Sequence, residues 1–124
     1  MQFMMLVKHS EICDAPPKEF IDAMAKLGEE AVKAGRMVAS GGLSPTAKST
    51  RVRLSRGQVT AMDGPFSEAK EVVGGFAILE LKSKEEAIEG ALHFMELHRK
   101  LWPGWEGETE VRQVLGPEAF APEA

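Results

Sequence analysis

Apolar residues follow two different spacings in the first third of the chain. The continuous apolar run 3–7, which ends at Lys8, is typical of a strand buried on both faces, so we expect a central strand. Residues 17–35 instead place apolar side chains at helical spacing, with proline at the start and Gly35 just past the end. This segment is predicted to be an amphipathic helix. Its predicted core residues are Phe20, Met24, Leu27 and Ala31.

Four further segments have the patterns of strands. Val52 and Leu54 alternate with Arg51 and Arg53, and a turn at Arg56-Gly57 follows, which predicts a half-exposed hairpin. The strand after Gly74-Gly75 is apolar on both faces, so one helical layer cannot cover it. The segments are 36–43, the hairpin 49–62, 74–82 and 108–115.

A second helix is predicted to follow the last apolar strand. Ser83 and Glu86 form the S-x-x-E pattern of a capping box, and the helix should stop before Pro103. Its predicted core positions are Ile88, Leu92 (or Ala91) and Met95. Its last turn carries His98, Arg99 and Lys100, where cations suit the helix dipole.

This order of elements predicts an α+β sandwich with two helices on one face of a mainly antiparallel sheet. The other sheet face would remain a bare apolar surface, larger than soluble monomers usually expose, so we expect a second copy to cover it as a symmetric dimer. Residues 1–116 form the predicted domain, and 117–124 a tail.

Composition narrows the function classes. With 124 residues the chain has the size of one domain, and its net charge of −4 with interspersed signs argues against a nucleic acid partner. No segment approaches the length of a membrane span, so we expect no membrane partner. Cys13 is the single cysteine, which fits a reducing compartment and predicts a cytoplasmic protein.

The residues Asp63-Gly64-Pro65-Phe66 have a structural interpretation that requires no function. The carboxylate can cap nearby amides, glycine permits unusual backbone angles, proline fixes φ, and Phe66 can anchor the turn in the core. Residues 67–71 fit a single helical turn, and Gly74-Gly75 permits close approach of the chain to its neighbours. We therefore interpret the stretch first as a brace and second as a candidate site.

Three longer strings also resemble a known family. DGPFSEAKEVVGGFAILEL (63–81), ASGGLSPTAKSTRVR (39–53) and FMELHRKLWPGWEGETEVRQV (94–114) are similar to the DGPF-domain branch of the YCII-related proteins. The resemblance implies a ferredoxin-like α+β fold, βαββαβ with an added hairpin, that pairs as a dimeric α/β barrel. It also implies a bacterial protein of the kind often encoded near extracytoplasmic-function sigma factors.

The resemblance says less about chemistry. Some relatives in the wider YCII-related group look like small-molecule lyases that use a His-Asp pair, but the first helix here contains no histidine. Asp63 belongs to the string that names the branch and is the one residue carried over as a possible acid, base or ligand anchor.

We predict Asp63 and His9 as the catalytic residues. His9 follows the first strand and could act as a general base near neutral pH, although a solvated strand end is the commoner role of a lone histidine. The predicted substrate-binding residues are Arg51, Arg53, Phe66 and Lys70. The arginines point to one side of their strand, where they could hold a carboxylate or phosphate or simply face water.

The remaining patterns argue against a metal or cofactor site and leave the role of the tryptophans open. His93 and His98 are five residues apart and lack helical metal-pair spacing, so no metal site is predicted. Nucleotide-binding and triad motifs are absent from the sequence, and no cofactor is predicted. Trp102 and Trp105 could wall a pocket or a dimer seam, or close the core.

Two functions remain open. One is an enzyme without a cofactor, a lyase or isomerase by its acid–base chemistry, acting on a small apolar or aromatic molecule; it requires Asp63 to point into a cavity. The other is a non-catalytic module that binds a small ligand or a regulatory partner in sigma-factor signalling, with the stretch around Asp63 only as a brace.

Overall fold

The computed structural model describes residues 1–11, 13–66 and 70–120. The predicted order of strands and helices is confirmed; most of the helical turn predicted at 67–71 lies outside the described residues. The elements are β1 Gln2–His9, α1 Lys18–Lys33, β2 Met37–Gly42, β3 Thr50–Ser55, β4 Gln58–Asp63, β5 Val72–Glu80, α2 Lys84–Leu101 and β6 Gly107–Val114, with 3-10 turns at Thr46–Lys48 and Pro117–Phe120. Neither α1 nor α2, the helices of the described part, has the length and apolar character needed to cross a membrane.

The main sheet has the strand order β2-β5-β1-β6, and each neighbouring pair is antiparallel. β1 is a central strand, as its continuous apolar run predicted. The fold is thus α+β with an antiparallel sheet and two helices, an arrangement compatible with a ferredoxin-like fold.

The core lies between the helices and one face of this sheet. Phe3 and Met5 of β1 pack with Leu81 and with Ala87 of α2, and the half-buried Ala77, Leu79 and Val111 surround them. Side chains alternate between the faces of a strand, so the half-buried residues Met4, Leu6, Phe76 and Ile78 lie on the opposite face. No helix packs on that second face within the described residues.

The prediction of the α2 core was wrong for Ile88 and Leu92, whereas the predicted Met95 is half-buried. Ile88 is 41% exposed and Leu92 is 62% exposed, whereas Ala87 is fully buried. The alternative position Ala91 is half-buried, and His98 is the other buried residue of α2. The reason is the close approach of α2 to the sheet, which the small Ala87 side chain permits directly beside the core residues of β1.

The start of α2 has the predicted cap. The backbone N–H of Glu86 donates to Ser83 Oγ at 3.1 Å. In return the carboxylate of Glu86 accepts from the backbone N–H of Lys82 at 3.2 Å, one residue earlier than in a standard capping box. Two otherwise unpaired backbone donors are thereby satisfied at the helix entrance.

Strands β3 and β4 form the predicted hairpin. Arg56 and Gly57 both have positive φ, 52° and 77°, which is the conformation of the type I′ turn that matches the twist of paired strands. The hairpin is a separate two-stranded sheet with few contacts to the main sheet. Its apolar side chains Val52, Leu54 and Val59 are 72%, 71% and 69% exposed.

Candidate functional site

His9 ends β1 at one end of the central sheet. Its Nδ1 lies 2.7 Å from the carbonyl oxygen of Ser10. A carbonyl oxygen can only accept, so Nδ1 carries the hydrogen, and in the neutral ring Nε2 holds the lone pair. Nε2 is therefore the nitrogen of His9 that can take up a proton.

The glycine pair before the β5 core makes room for this ring. The pairing of β1 with β5 shifts between Val7 and Lys8, whose partners are Gly75 and Val73, so Gly74 is the extra residue of a β-bulge. A Cβ at Gly74 would lie 2.7 Å from His9 Cδ2 and closer still to Nε2. A side chain at Gly74 would therefore displace the imidazole from its position.

Glu11 is held close to His9 by Thr46. The carboxylate accepts from the backbone N–H of Thr46 at 2.9 Å and from its hydroxyl group. These hydrogen bonds lower the pKa of Glu11, and the nearby His9 lowers it further by a smaller amount. Thr46 thus holds an ionised carboxylate near His9.

The Asp-Gly-Pro-Phe turn packs directly on Thr46. A Cβ at Gly64 would lie 2.7 Å from the carbonyl carbon of Thr46 and closer still to its oxygen, so only glycine fits. The N–H of Gly64 donates to Ser49 O at 2.9 Å, and the N–H of Phe66 donates to Thr46 Oγ1 at 3.3 Å. The turn thus supports the residue that holds Glu11.

Asp63 lies at the exposed end of β4, opposite Thr50. Its carboxylate accepts a hydrogen bond from the Thr50 hydroxyl at 2.8 Å. It is absent from the linings of both cavities described below. The structure does not bring Asp63 and His9 into contact, and the catalytic roles of both residues stay predictions.

The predicted substrate-binding residues lie around the hairpin. The guanidinium carbon of Arg51 is 3.7 Å from the ring centroid of the buried Phe66, a cation–π contact. Arg53 lines an open depression of about 420 Å³ with Ser55, Arg56, Gln58 and Thr60. Lys70 is exposed. No contact between these side chains and His9 occurs among the described residues, and their binding roles stay predictions.

His98 lies in a cluster of aromatic rings at the end of α2. It is only 4% exposed, and its ring centroid is 4.6 Å from Phe20, 4.6 Å from Phe94 and 4.3 Å from Trp105. Nδ1 donates to the carbonyl of Phe94 at 2.8 Å. Burial lowers the pKa of His98, the hydrogen bond to Phe94 partly opposes this, and the charge of nearby His9 lowers it further.

The lowered pKa corrects one sequence inference. We expected His98 to be a cation that suits the helix dipole, but burial in this cluster favours the neutral ring. The sequence did carry a signal, because Phe94 and His98 are four residues apart on one face of α2, and Trp102 follows the helix end at the same interval. The sequence analysis missed this spacing because it assigned Ile88 and Leu92 to the core of α2 instead.

A cavity of about 410 Å³ lies beside this cluster. Trp102 and Trp105 form part of its wall, with ring centroids 5.9 Å apart. His9 lies next to this wall, its ring centroid 6.2 Å from that of Trp105. The other lining residues are Ser10, Cys13, Asp14, Pro103, Gly104 and Glu106. His9 is not itself a lining residue, so one end of β1 holds a histidine that contacts the Trp105 wall of a cavity.

A metal site requires several His, Cys, Asp or Glu side chains grouped around one point. Within residues 1–11, 13–66 and 70–120, no three His, Cys, Asp or Glu side chains are grouped as metal ligands. His93 is exposed, whereas His98 is buried in the aromatic cluster.

The fold and this site define an α+β domain of one antiparallel sheet and two helices, with a histidine at the sheet end beside a small cavity. The YCII-related domain model matches residues 1–93, and the chain belongs to that family. The matched residues include His9, Thr46 and Gly74, whereas His98, Trp102 and Trp105 follow the matched region.

A curated relative is similar over part of the chain. An uncharacterized protein of Rhizobium meliloti (strain 1021) is 38% identical over 60 residues, which are 48% of this chain and 48% of that protein. The chain thus spans about half the length of the curated relative it matches. The relative's name states no activity.

Proposed function

We propose that the protein binds a small, largely apolar or aromatic molecule in the cavity beside His9, and that His9 moves a proton of this molecule. The observation that carries the proposal is the position of His9 next to Trp105, a wall of the cavity. Ligand sites are typically concave and combine apolar walls with polar groups, and this cavity combines two indole walls with Ser10, Asp14 and Glu106.

The chemistry follows from the hydrogen bonds around the ring. Because Ser10 O accepts from Nδ1, the unprotonated Nε2 is the nitrogen of His9 that can act as the base. When Nε2 takes a proton, the ionised Glu11 stabilises the imidazolium that forms. Thr46, supported by the Asp-Gly-Pro-Phe turn, positions Glu11.

The test combines a binding screen with a proton-exchange assay. Small phenols, aromatic acids and aromatic amines are screened by the rise in melting temperature that a ligand of the folded state causes. Bound compounds are then incubated with the protein in D₂O, and deuterium incorporation is followed by NMR. We expect exchange with the wild type and with the control His93→Gln, which alters an exposed histidine, and its loss in His9→Gln.

A second function is favoured by the position of Asp63. Its carboxylate accepts from Thr50 and lines neither cavity, which suits a non-catalytic module that binds a small ligand or a regulatory partner, such as one in sigma-factor signalling. Equal binding to the wild type and His9→Gln, with no deuterium exchange in either, would favour this module. The same screen with Asp63→Asn tests a direct role of Asp63, which the geometry does not favour.

We also propose that two copies pair across the open sheet face as a dimeric α/β barrel. Met4, Leu6, Phe76 and Ile78 are apolar and lie on the face opposite the helices, and the hairpin exposes further apolar side chains. Apolar surface of this kind commonly marks an interface between proteins. A second copy of the chain carries the same apolar sheet face, so the two faces can cover each other.

Light scattering at micromolar concentration tests the dimer. We expect twice the chain mass for the wild type and for the control Ile88→Lys, which alters an exposed position on α2. Ile78→Lys should yield a monomer, with circular dichroism confirming that the variant is folded. A monomeric wild type would contradict the proposal.

Two finer assignments complete the proposal. We place the chain in the DGPF-domain branch of the family, supported by residues 63–66 and by the close packing of Gly64 that this string provides. We also propose a bacterial, cytoplasmic protein, supported by the relative from Rhizobium meliloti and by Cys13, a single exposed thiol.

A further inference from the structure

The cavity beside His9 has two indole walls. Trp102 and Trp105 are both half-buried and line it, and their ring planes differ by 32°. The face of an indole carries negative electrostatic potential and attracts cations more strongly than other aromatic side chains do. His98 contacts Trp105 from within the core, where burial lowers its pKa and favours the neutral ring, and His9, at a centroid distance of 6.2 Å, contacts the same indole without lining the cavity.

The charged residues of the cavity have one sign. Asp14 and Glu106 line it and are exposed, and no Lys or Arg occurs among the lining residues that the structure describes. Across the described residues, neither carboxylate makes a hydrogen bond or an ion pair. Two unpaired carboxylates beside two indoles attract a positively charged group and repel a carboxylate.

We propose that the cavity selects an organic cation, a molecule with a small apolar or aromatic body and an ammonium group. The body contacts the indoles of Trp102 and Trp105, and the ammonium group lies between these rings and the carboxylates of Asp14 and Glu106. This inference rests on the proposed function and names the substrate class of the same site. It predicts the opposite ligand charge to the one expected from Arg51 and Arg53.

Four probes that share one ring separate charge from shape. Benzylammonium, benzyltrimethylammonium, benzyl alcohol and benzoate are titrated against the protein, and binding is followed by tryptophan fluorescence. Trp102 and Trp105 are the only tryptophans of the chain, so the signal comes from the cavity walls. We expect the two ammonium probes to bind about tenfold more tightly than benzyl alcohol, the difference that one cation–π contact and a nearby carboxylate provide. Benzoate should bind most weakly.

The variant Asp14→Asn/Glu106→Gln should lose most of the preference for the ammonium probes while still binding benzyl alcohol. The control Glu19→Asn/Asp22→Asn removes two exposed carboxylates from α1 and should leave the preference unchanged. Added salt should weaken the binding of the ammonium probes more than the binding of benzyl alcohol.

The outcomes separate the two proposals. Equal affinity for benzyl alcohol and the ammonium probes, or an unchanged preference in the variant, overturns the cation inference but leaves a cavity that binds apolar molecules. Tighter binding of benzoate than of the ammonium probes also overturns the cation inference. If none of the four probes binds, the cation inference fails, while the deuterium-exchange assay with His9→Gln still decides the proposed function independently.

Discussion

Replacement of Gly74 by alanine tests the packing that positions His9. Gly74 has no positive φ, so its backbone accepts alanine, and in open space the change would stabilise the protein by about 0.4–1 kcal/mol through the unfolded chain. Here the new Cβ would overlap the His9 ring, 2.7 Å from Cδ2 and closer to Nε2. The ring must rotate, which costs about 0.5–1.5 kcal/mol for a strained rotamer and about as much again for the lost contact with Trp105. We expect a net loss of about 1–2 kcal/mol.

Urea denaturation of four proteins measures this effect: the wild type, Gly74→Ala, His9→Ala and the double variant. In the His9→Ala background the obstacle is absent, so Gly74→Ala should become neutral or stabilising, a coupling of about 2 kcal/mol. Gly28→Ala is the matched control, because a Cβ there meets nothing within 4 Å and alanine favours the helix. If Gly74→Ala destabilises equally with and without His9, or stabilises the wild type as Gly28→Ala does, the proposed packing is wrong.

Three further predictions concern stability. Burial lowers the pKa of His98 in the folded state, so unfolding takes up a proton and the free energy of unfolding should fall as the pH drops below about 6.5. Urea denaturation at about pH 7.5 and about pH 5.5 should show this fall in the wild type and in the control His93→Gln. The fall should be smaller in His98→Phe. Phe66→Ala should cost about 3 kcal/mol because the ring is buried, whereas Phe120→Ala, at a 77% exposed position, should change stability by less than about 0.5 kcal/mol; equal melting temperatures would contradict the anchoring role. Ser83→Ala should cost about 1 kcal/mol in thermal or urea unfolding through loss of the helix cap, and an unchanged midpoint would show that the cap contributes nothing.

The sequence contained most of the fold because the local patterns were unambiguous. The apolar run of β1, the glycine after α1, the Arg56-Gly57 turn and the cap at Ser83 each depend on neighbours within a few residues. Such signals predicted the elements, their order and the central position of β1. The phase of α2 could not be read in the same way, because several faces of this helix carry apolar residues and its contact with the sheet selects among them.

The sequence also identified the special residues of the stretch from Asp63 to Gly75 and their structural character. It could not show what they contact, because Gly64 lies against Thr46 and Gly74 against His9, residues that are far away along the chain. Burial of His98 and the cavity between Trp102, Trp105 and the end of β1 likewise arise only when α2 packs beside the sheet. Local patterns determined the elements and the turns, whereas the tertiary structure decided which side chains meet, because a contact between distant residues has no period that a single sequence can display.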